Sequence, residues 1–160
     1  MGPFHLLELL KAMKELSFAA SFALLAYLGL EISLNISPVG VLFFDEWKKV
    51  PIGNYELHFA VPAFFVSLFM SQKVFKSKSA KYAFLWGAVI TAVVAFLSGF
   101  SEGLLFNPER GKFALLQPFF FVAADVFLVS PFVLGGLLAT LWWKISSNKR
   151  FQVDAAEPRA

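Results

Sequence analysis

Residues 82–106, YAFLWGAVITAVVAFLSGFSEGLLF, decide the fold of this chain. Glu102 is the single charged residue in this stretch, and a helix needs roughly 20 consecutive apolar residues to cross a bilayer core. The stretch is therefore predicted to be a transmembrane helix.

Three further apolar segments flank this stretch. They cover residues 16–36, 57–72 and 114–143, and the second of them is short for a span. Together the four segments predict an all-α, polytopic membrane protein with a bundle of four transmembrane helices in residues 16–143.

The two ends of the chain are more polar than the predicted spans. In residues 1–15, Leu6 and Leu10 share one side of a helix, while Glu8 lies on the other side. This pattern predicts a short amphipathic helix on the membrane surface. Residues 144–160 are predicted to form a polar cytoplasmic tail.

The composition of the whole chain also indicates a membrane protein. Of its 160 residues, 58% are hydrophobic and 16% are charged, against about 25% charged in soluble domains. The 21 Phe need more interior volume than a soluble chain of this length provides. The absence of Cys excludes disulfides, iron–sulfur clusters and cysteine nucleophiles. The basic residues flank the predicted spans and do not form a stripe for nucleic acid. The predicted partner is therefore the lipid bilayer, and nucleic acid binding is not predicted.

The distribution of Lys and Arg predicts an orientation in the membrane. Ten of the 14 lie before the first span, between the second and third spans, or after the fourth span. The other four lie in residues 37–56 and 107–112. The positive-inside rule then predicts that both termini and the loop at residues 72–81 are cytoplasmic.

Asp125 is the charged residue predicted to lie deepest in the membrane. It follows Phe113 by about twelve residues, or roughly 16–18 Å of helix rise, which is too far for its short side chain to reach water. An acid at that depth costs about 2.5–3.5 kcal/mol on insertion scales. Two interpretations stay open: a proton, cation or catalytic site, or a protonated carboxyl that joins helices by hydrogen bonds.

Three more ionisable residues are predicted near the non-cytoplasmic face. Glu31 lies near the end of the first span, His58 opens the second, and Glu102 lies near the end of the third. Each glutamate alone can extend to the headgroups. Grouped with Asp125, these side chains form a candidate set for a proton relay or a cation.

Small residues that recur on one helix side mark close helix contacts in membranes. In the third span the predicted packing side contains Ala88, Ala92, Ala95 and Gly99. Glu102 continues that side, so its side chain is predicted to face the bundle. Gly135 and Gly136 are predicted to permit a close crossing of the fourth span.

No metal site and no cofactor are predicted. The chain has no HExxH or HxxxH pair, and His5 is predicted at the opposite face from His58, which excludes a bis-histidine haem. Phenylalanine clusters at residues 43–44, 64–65 and 119–121 are compatible with a bound lipid, quinone or pigment. More often such rings face lipid or pack between helices.

Small extramembrane parts and packing faces, without a complete catalytic set, predict an accessory or structural subunit that packs with other subunits of a membrane protein complex. One alternative is proton- or cation-coupled transport through a bundle lined by Glu31, Glu102 and Asp125. Another is an intramembrane hydrolase or isomerase that uses two of its own carboxylates to act on a lipidic substrate. In length, four spans and acids near the outer face, the chain resembles a lipoprotein signal peptidase, but residues 121–125 lack the Asn of that family's motif.

Overall fold

The protein is built from α-helices. The computed structural model describes residues 3–36, 54–105 and 130–156, and these contain four helices and no strand. They are α1 (Pro3–Ile36), α2 (Asn54–Phe75), α3 (Ala80–Leu105) and α4 (Ser130–Ala156). The all-α prediction is therefore confirmed.

Two of the helices are longer than the predicted segments. Helix α1 continues without a break from the predicted amphipathic segment into the predicted first span, because residues 11–16 are good helix formers without Gly or Pro. Helix α4 continues past Trp143 to Ala156, and the sequence there also lacks Gly and Pro. Residues 114–129, the first part of the predicted fourth span, lie outside the described residues.

The helices alternate in direction. Helices α2 and α3 form a hairpin around the turn at residues 76–79. Gly87 and Thr91 of α3 meet Ala139 and Gly135 of α4, in that order, so α3 and α4 are antiparallel.

On α1, Lys14 contacts Ser146 of α4, and Ser21 contacts Trp142. The residue number of the contact on α4 decreases as the residue number on α1 increases, so these two helices are also antiparallel. The early part of α1, the α2–α3 turn and the later part of α4 therefore lie at one end of the bundle. We call this end the turn end.

The interior combines small side chains with several large apolar ones. Alanines, serines and glycines are buried among the described helices, and the largest fully buried side chains are Phe18, Ile90 and Val74. Many other large apolar side chains are exposed, of which Phe69 is the most exposed at 84%. Large apolar residues therefore form part of the core and also leave apolar surface uncovered on all four helices.

Among the described residues, one helix is long and apolar enough to cross a membrane by length and composition. It is the part of α3 that covers Ala80–Phe100, and 39% of its most apolar window is buried. Phe59–Phe75 in α2 is a shorter apolar segment. A single such helix also occurs in the core of soluble proteins, so the four-span bundle stays a prediction from the sequence.

Candidate functional site

The predicted set of ionisable residues lies away from the turn end. The backbone of Glu31 is near the end of α1, that of His58 is near the start of α2, and that of Glu102 is near the end of α3. Because the helices alternate in direction, these three positions share the end of the bundle opposite the turn. The side chains of all three, and the whole of Asp125, lie outside the described residues, so the site stays a prediction.

Helices α3 and α4 meet at three glycines, Gly87, Gly135 and Gly136, which we call the glycine seam. A Cβ atom on Gly87 would collide with the backbone oxygen of Gly135 and would lie 2.7 Å from the Cβ of Ala139. A Cβ on Gly136 would lie 2.5 Å from Cε2 of Phe84. The two backbones therefore approach closely enough that glycine is needed at the seam.

The packing side of α3 differs slightly from the predicted one. Ala95 and Gly99 are buried, whereas Ala88 and Ala92 are half-buried. The most buried positions are centred one residue earlier, at Ala83, Gly87, Ile90 and Val94. Gly87 was not among the predicted packing residues, although Gly87 and Thr91 are small residues at the same four-residue spacing.

Side-chain hydrogen bonds join three helices at the turn end. The amide Nε2 of Gln72 on α2 donates to the Oε1 of Glu15 on α1. The adjacent Lys14 donates from Nζ to the hydroxyl of Ser146 on α4. Lys14 Nζ also lies 4.2 Å from the ring centroid of Phe75, within cation–π range. We call Lys14, Glu15, Gln72 and Ser146 the polar cluster.

Aromatic rings pack directly beside the polar cluster. The ring of Phe18 is fully buried, and its centroid lies 5.0 Å from that of Phe22, 5.2 Å from that of Phe75 and 6.2 Å from that of Trp142. The Nε1 of Trp142 donates to the hydroxyl of Ser21 over 2.9 Å. These rings have separations typical of favourable aromatic pairs, so they fix α1, α2 and α4 together.

A second tryptophan holds α4 to the α2–α3 turn. Trp143 donates from Nε1 to the backbone oxygen of Ser77 over 2.8 Å. The predicted fourth span, residues 114–143, ends at these two tryptophans, but the sequence did not predict the partners of their indoles. A lone sequence does not reveal those partners, because they lie on α1 and on a turn more than sixty residues away.

Buried hydroxyl groups on the helices bond to backbone carbonyls of their own helix. Ser67 donates to the Ala63 oxygen over 2.5 Å, and Thr140 donates to the Gly136 oxygen over 2.8 Å. This local bonding satisfies a hydroxyl without help from another helix, which allows polar side chains in an apolar interior.

The polar side chains at the turn end form hydrogen bonds that hold the helices together. The ammonium of Lys14 and the carboxylate of Glu15 bond to neutral partners on other helices. In the described ranges, no buried side-chain nitrogen or oxygen lacks a partner, and no three His, Asp or Glu residues are grouped as metal ligands. Comparison of the chain with models of protein families, with curated proteins and with solved structures finds no match.

Proposed function

We propose that this chain is an integral membrane protein of four spans, with both termini in the cytoplasm. We further propose that it is a small accessory subunit of a larger membrane protein complex. The observation that carries this proposal is the arrangement of large apolar side chains that are exposed on all four helices.

This arrangement is costly for a protein surrounded by water. Exposed stripes of large apolar side chains occur on all four helices, including Leu24 on α1, Phe69 on α2, Leu85 on α3 and Leu137 on α4. Soluble monomers rarely expose contiguous apolar surface on this scale. Lipid tails or neighbouring membrane helices solvate the same surface well, and small residues at helix contacts are typical of membrane bundles.

The proposed orientation is supported by the alternating helices. Both described chain ends lie on the side of the turn end, where Lys73 in the last turn of α2 and Lys76 and Lys78 in the α2–α3 turn are found. Both termini and this lysine-rich turn then share one side of a membrane. The positive-inside rule assigns that side to the cytoplasm.

The accessory role is supported by the use of the polar side chains. The described interhelical hydrogen bonds of Glu15, Gln72, Trp142 and Trp143 join parts of this chain to one another. They stabilise the bundle as a unit. The outward side of α2, with Leu57, Val61, Phe65 and Phe69 at four-residue spacing, is then a continuous apolar surface for a neighbouring subunit.

Photo-crosslinking in the native membrane tests the accessory role. A benzoylphenylalanine at Phe69 is expected to give a discrete adduct with another membrane protein, heavier than the 17.8 kDa chain. The same probe at the buried Phe18 is the matched control and should react within the chain. Lipid adducts alone at Phe69 and at Leu137, together with a monodisperse monomer in mild detergent, would contradict the subunit proposal.

Proton- or cation-coupled transport is the second candidate. It is supported by the shared end of the bundle at which the backbone positions of Glu31, His58 and Glu102 lie. Acidic residues at membrane depth are typical of ion and proton pathways. In proteoliposomes, Asp125→Asn should abolish flux while the control Asp154→Asn in the tail should leave it unchanged. Equal flux in both variants would remove this candidate.

A further inference from the structure

A basic pocket opens at the turn end, between the last turn of α2 and the first turns of α3. It has a volume of about 560 Å³. Its walls are formed by the polar and aromatic side chains of Gln72, Lys73, Lys76, Lys78, Tyr82 and Trp86. We call it the lysine pocket.

The lysine pocket concentrates positive charge. Lys73, Lys76 and Lys78 are all exposed, and residues 72–82 contain no acidic residue. Glu15, which accepts a hydrogen bond from Gln72 at the back of the pocket, is half-buried between α1 and α2. Three ammonium groups around one opening repel each other, and a bound anion would relieve that repulsion.

Aromatic side chains form the wall on α3. Tyr82 and Trp86 are one helical turn apart, and the Nζ of Lys73 lies 6.0 Å from the ring centroid of Trp86. Tyr and Trp are the residues enriched at the headgroup level of membranes. The pocket therefore has the composition of a membrane–water interface.

The surface next to the lysine pocket is apolar. Phe69 lies one turn before Lys73 on α2, and Leu85 and Val89 lie on the neighbouring exposed side of α3. A ligand with a phosphate in the pocket and a hydrocarbon chain along Leu85 and Val89 would match both parts of this surface. A free phosphate would use only the charged part.

We infer that the lysine pocket binds the phosphate-bearing headgroup of an anionic membrane lipid. This inference rests on the proposed membrane location of the chain, but it does not require the proposed subunit role. Removal of two charge-assisted contacts between pocket lysines and the phosphate corresponds to at least about a tenfold loss of affinity.

Native mass spectrometry of the purified full chain in mild detergent tests the inference. The probes are phosphatidylglycerol, phosphatidylcholine and inorganic phosphate, each titrated separately. Phosphatidylglycerol is expected to be retained in preference to phosphatidylcholine. The variant Lys73→Gln/Lys76→Gln should weaken its retention at least about tenfold.

The matched control is Lys11→Gln/Lys144→Gln, which removes two charges from exposed lysines on α1 and α4. It should change phosphatidylglycerol affinity less than about twofold. Because all four lysines are exposed, we expect both double variants to fold. Circular dichroism spectra equal to that of the unchanged protein would verify this. An equal loss in both double variants, or retention of phosphatidylcholine as strong as that of phosphatidylglycerol, would overturn the lipid site.

The phosphate arm separates a lipid site from a free-anion site. Inorganic phosphate that binds as tightly as phosphatidylglycerol, and depends equally on Lys73 and Lys76, would overturn the assignment to lipid. Failure of the subunit proposal is recognised separately, because it removes the Phe69 crosslink and leaves phosphatidylglycerol retention intact.

Discussion

The glycine seam and the turn end hold helices together by different means. At the seam, Gly87 and Gly135 let the backbones of α3 and α4 approach until a single added Cβ would collide. At the turn end, α1, α2 and α4 are joined by the polar cluster and by the rings around Phe18. The polar contacts lie within about one helical turn of the α2–α3 turn, and the seam begins about two helical turns from it.

The membrane location that we propose accounts for this difference. In lipid, apolar surface would gain little by moving from hydrocarbon to protein, so close packing of small residues would hold the contact between α3 and α4. At the turn end, long polar side chains such as Lys14 and Gln72 bond to partners on other helices. Each region therefore has its own sensitivity to substitution.

Removal of the Phe18 ring should have the largest effect on stability. Phe18→Ala deletes a fully buried ring that contacts three other rings, and we expect the free energy of unfolding to fall by about 3–5 kcal/mol. The matched control, Phe69→Ala, removes an 84% exposed ring and should change it by less than about 0.5 kcal/mol. Unfolding in detergent, followed by circular dichroism, measures both. Equal losses would contradict the assignment of Phe18 to the inside and Phe69 to the outside.

Substitution at the glycine seam should have the next largest effect. Gly87→Ala places a methyl group against the rigid Gly135 backbone, and we expect a loss of about 1–3 kcal/mol. Gly136→Ala should cost less, because the Phe84 ring that it meets can rotate away. The control Gly29→Ala meets no atom within 4 Å, so its higher helix propensity should leave stability unchanged or raise it by up to about 1 kcal/mol. The same unfolding assay distinguishes the three variants. A loss of stability in Gly29→Ala equal to that in Gly87→Ala would contradict the close contact of α3 and α4 at the glycine seam.

The indole hydrogen bond at the turn end should have the smallest effect. Trp142→Phe keeps a ring beside Phe18 but loses the donor to Ser21, so we expect a loss of about 0.5–1.5 kcal/mol. A double-mutant cycle with Ser21→Ala isolates this bond. Additive losses from the two substitutions would mean that the bond contributes nothing to stability.

The sequence predicted the helices well because apolar length and the absence of Gly and Pro are local properties. It placed helical segments within all four described helices and predicted small-residue contacts on α3 and α4. It did not predict the central role of Gly87, because two neighbouring sides of α3 carry small residues at helical spacing. The position of α4 in the structure shows which side makes the contact.

The polar cluster could not be predicted from the sequence. Lys14 and Glu15 look like ordinary charged residues of an amphipathic helix, and nothing in the sequence pairs them with Ser146 or Gln72. Those partners depend on the relative height of three helices. The predicted set of Glu31, His58, Glu102 and Asp125 stays a prediction from the sequence, because the side chains involved lie outside the described residues.

Cysteine labelling in sealed membrane vesicles tests the four-span arrangement most directly. The chain has no native Cys, so His5→Cys, Lys78→Cys and Ala160→Cys can each be read alone, with Lys48→Cys, between α1 and α2 in the sequence, as the fourth site. We expect a membrane-impermeant maleimide to label the first three from the cytoplasmic side only and the fourth from the opposite side only. Labelling of Lys78→Cys and either terminus from opposite sides, or of all four from the same side, would contradict a four-span protein with both termini in the cytoplasm.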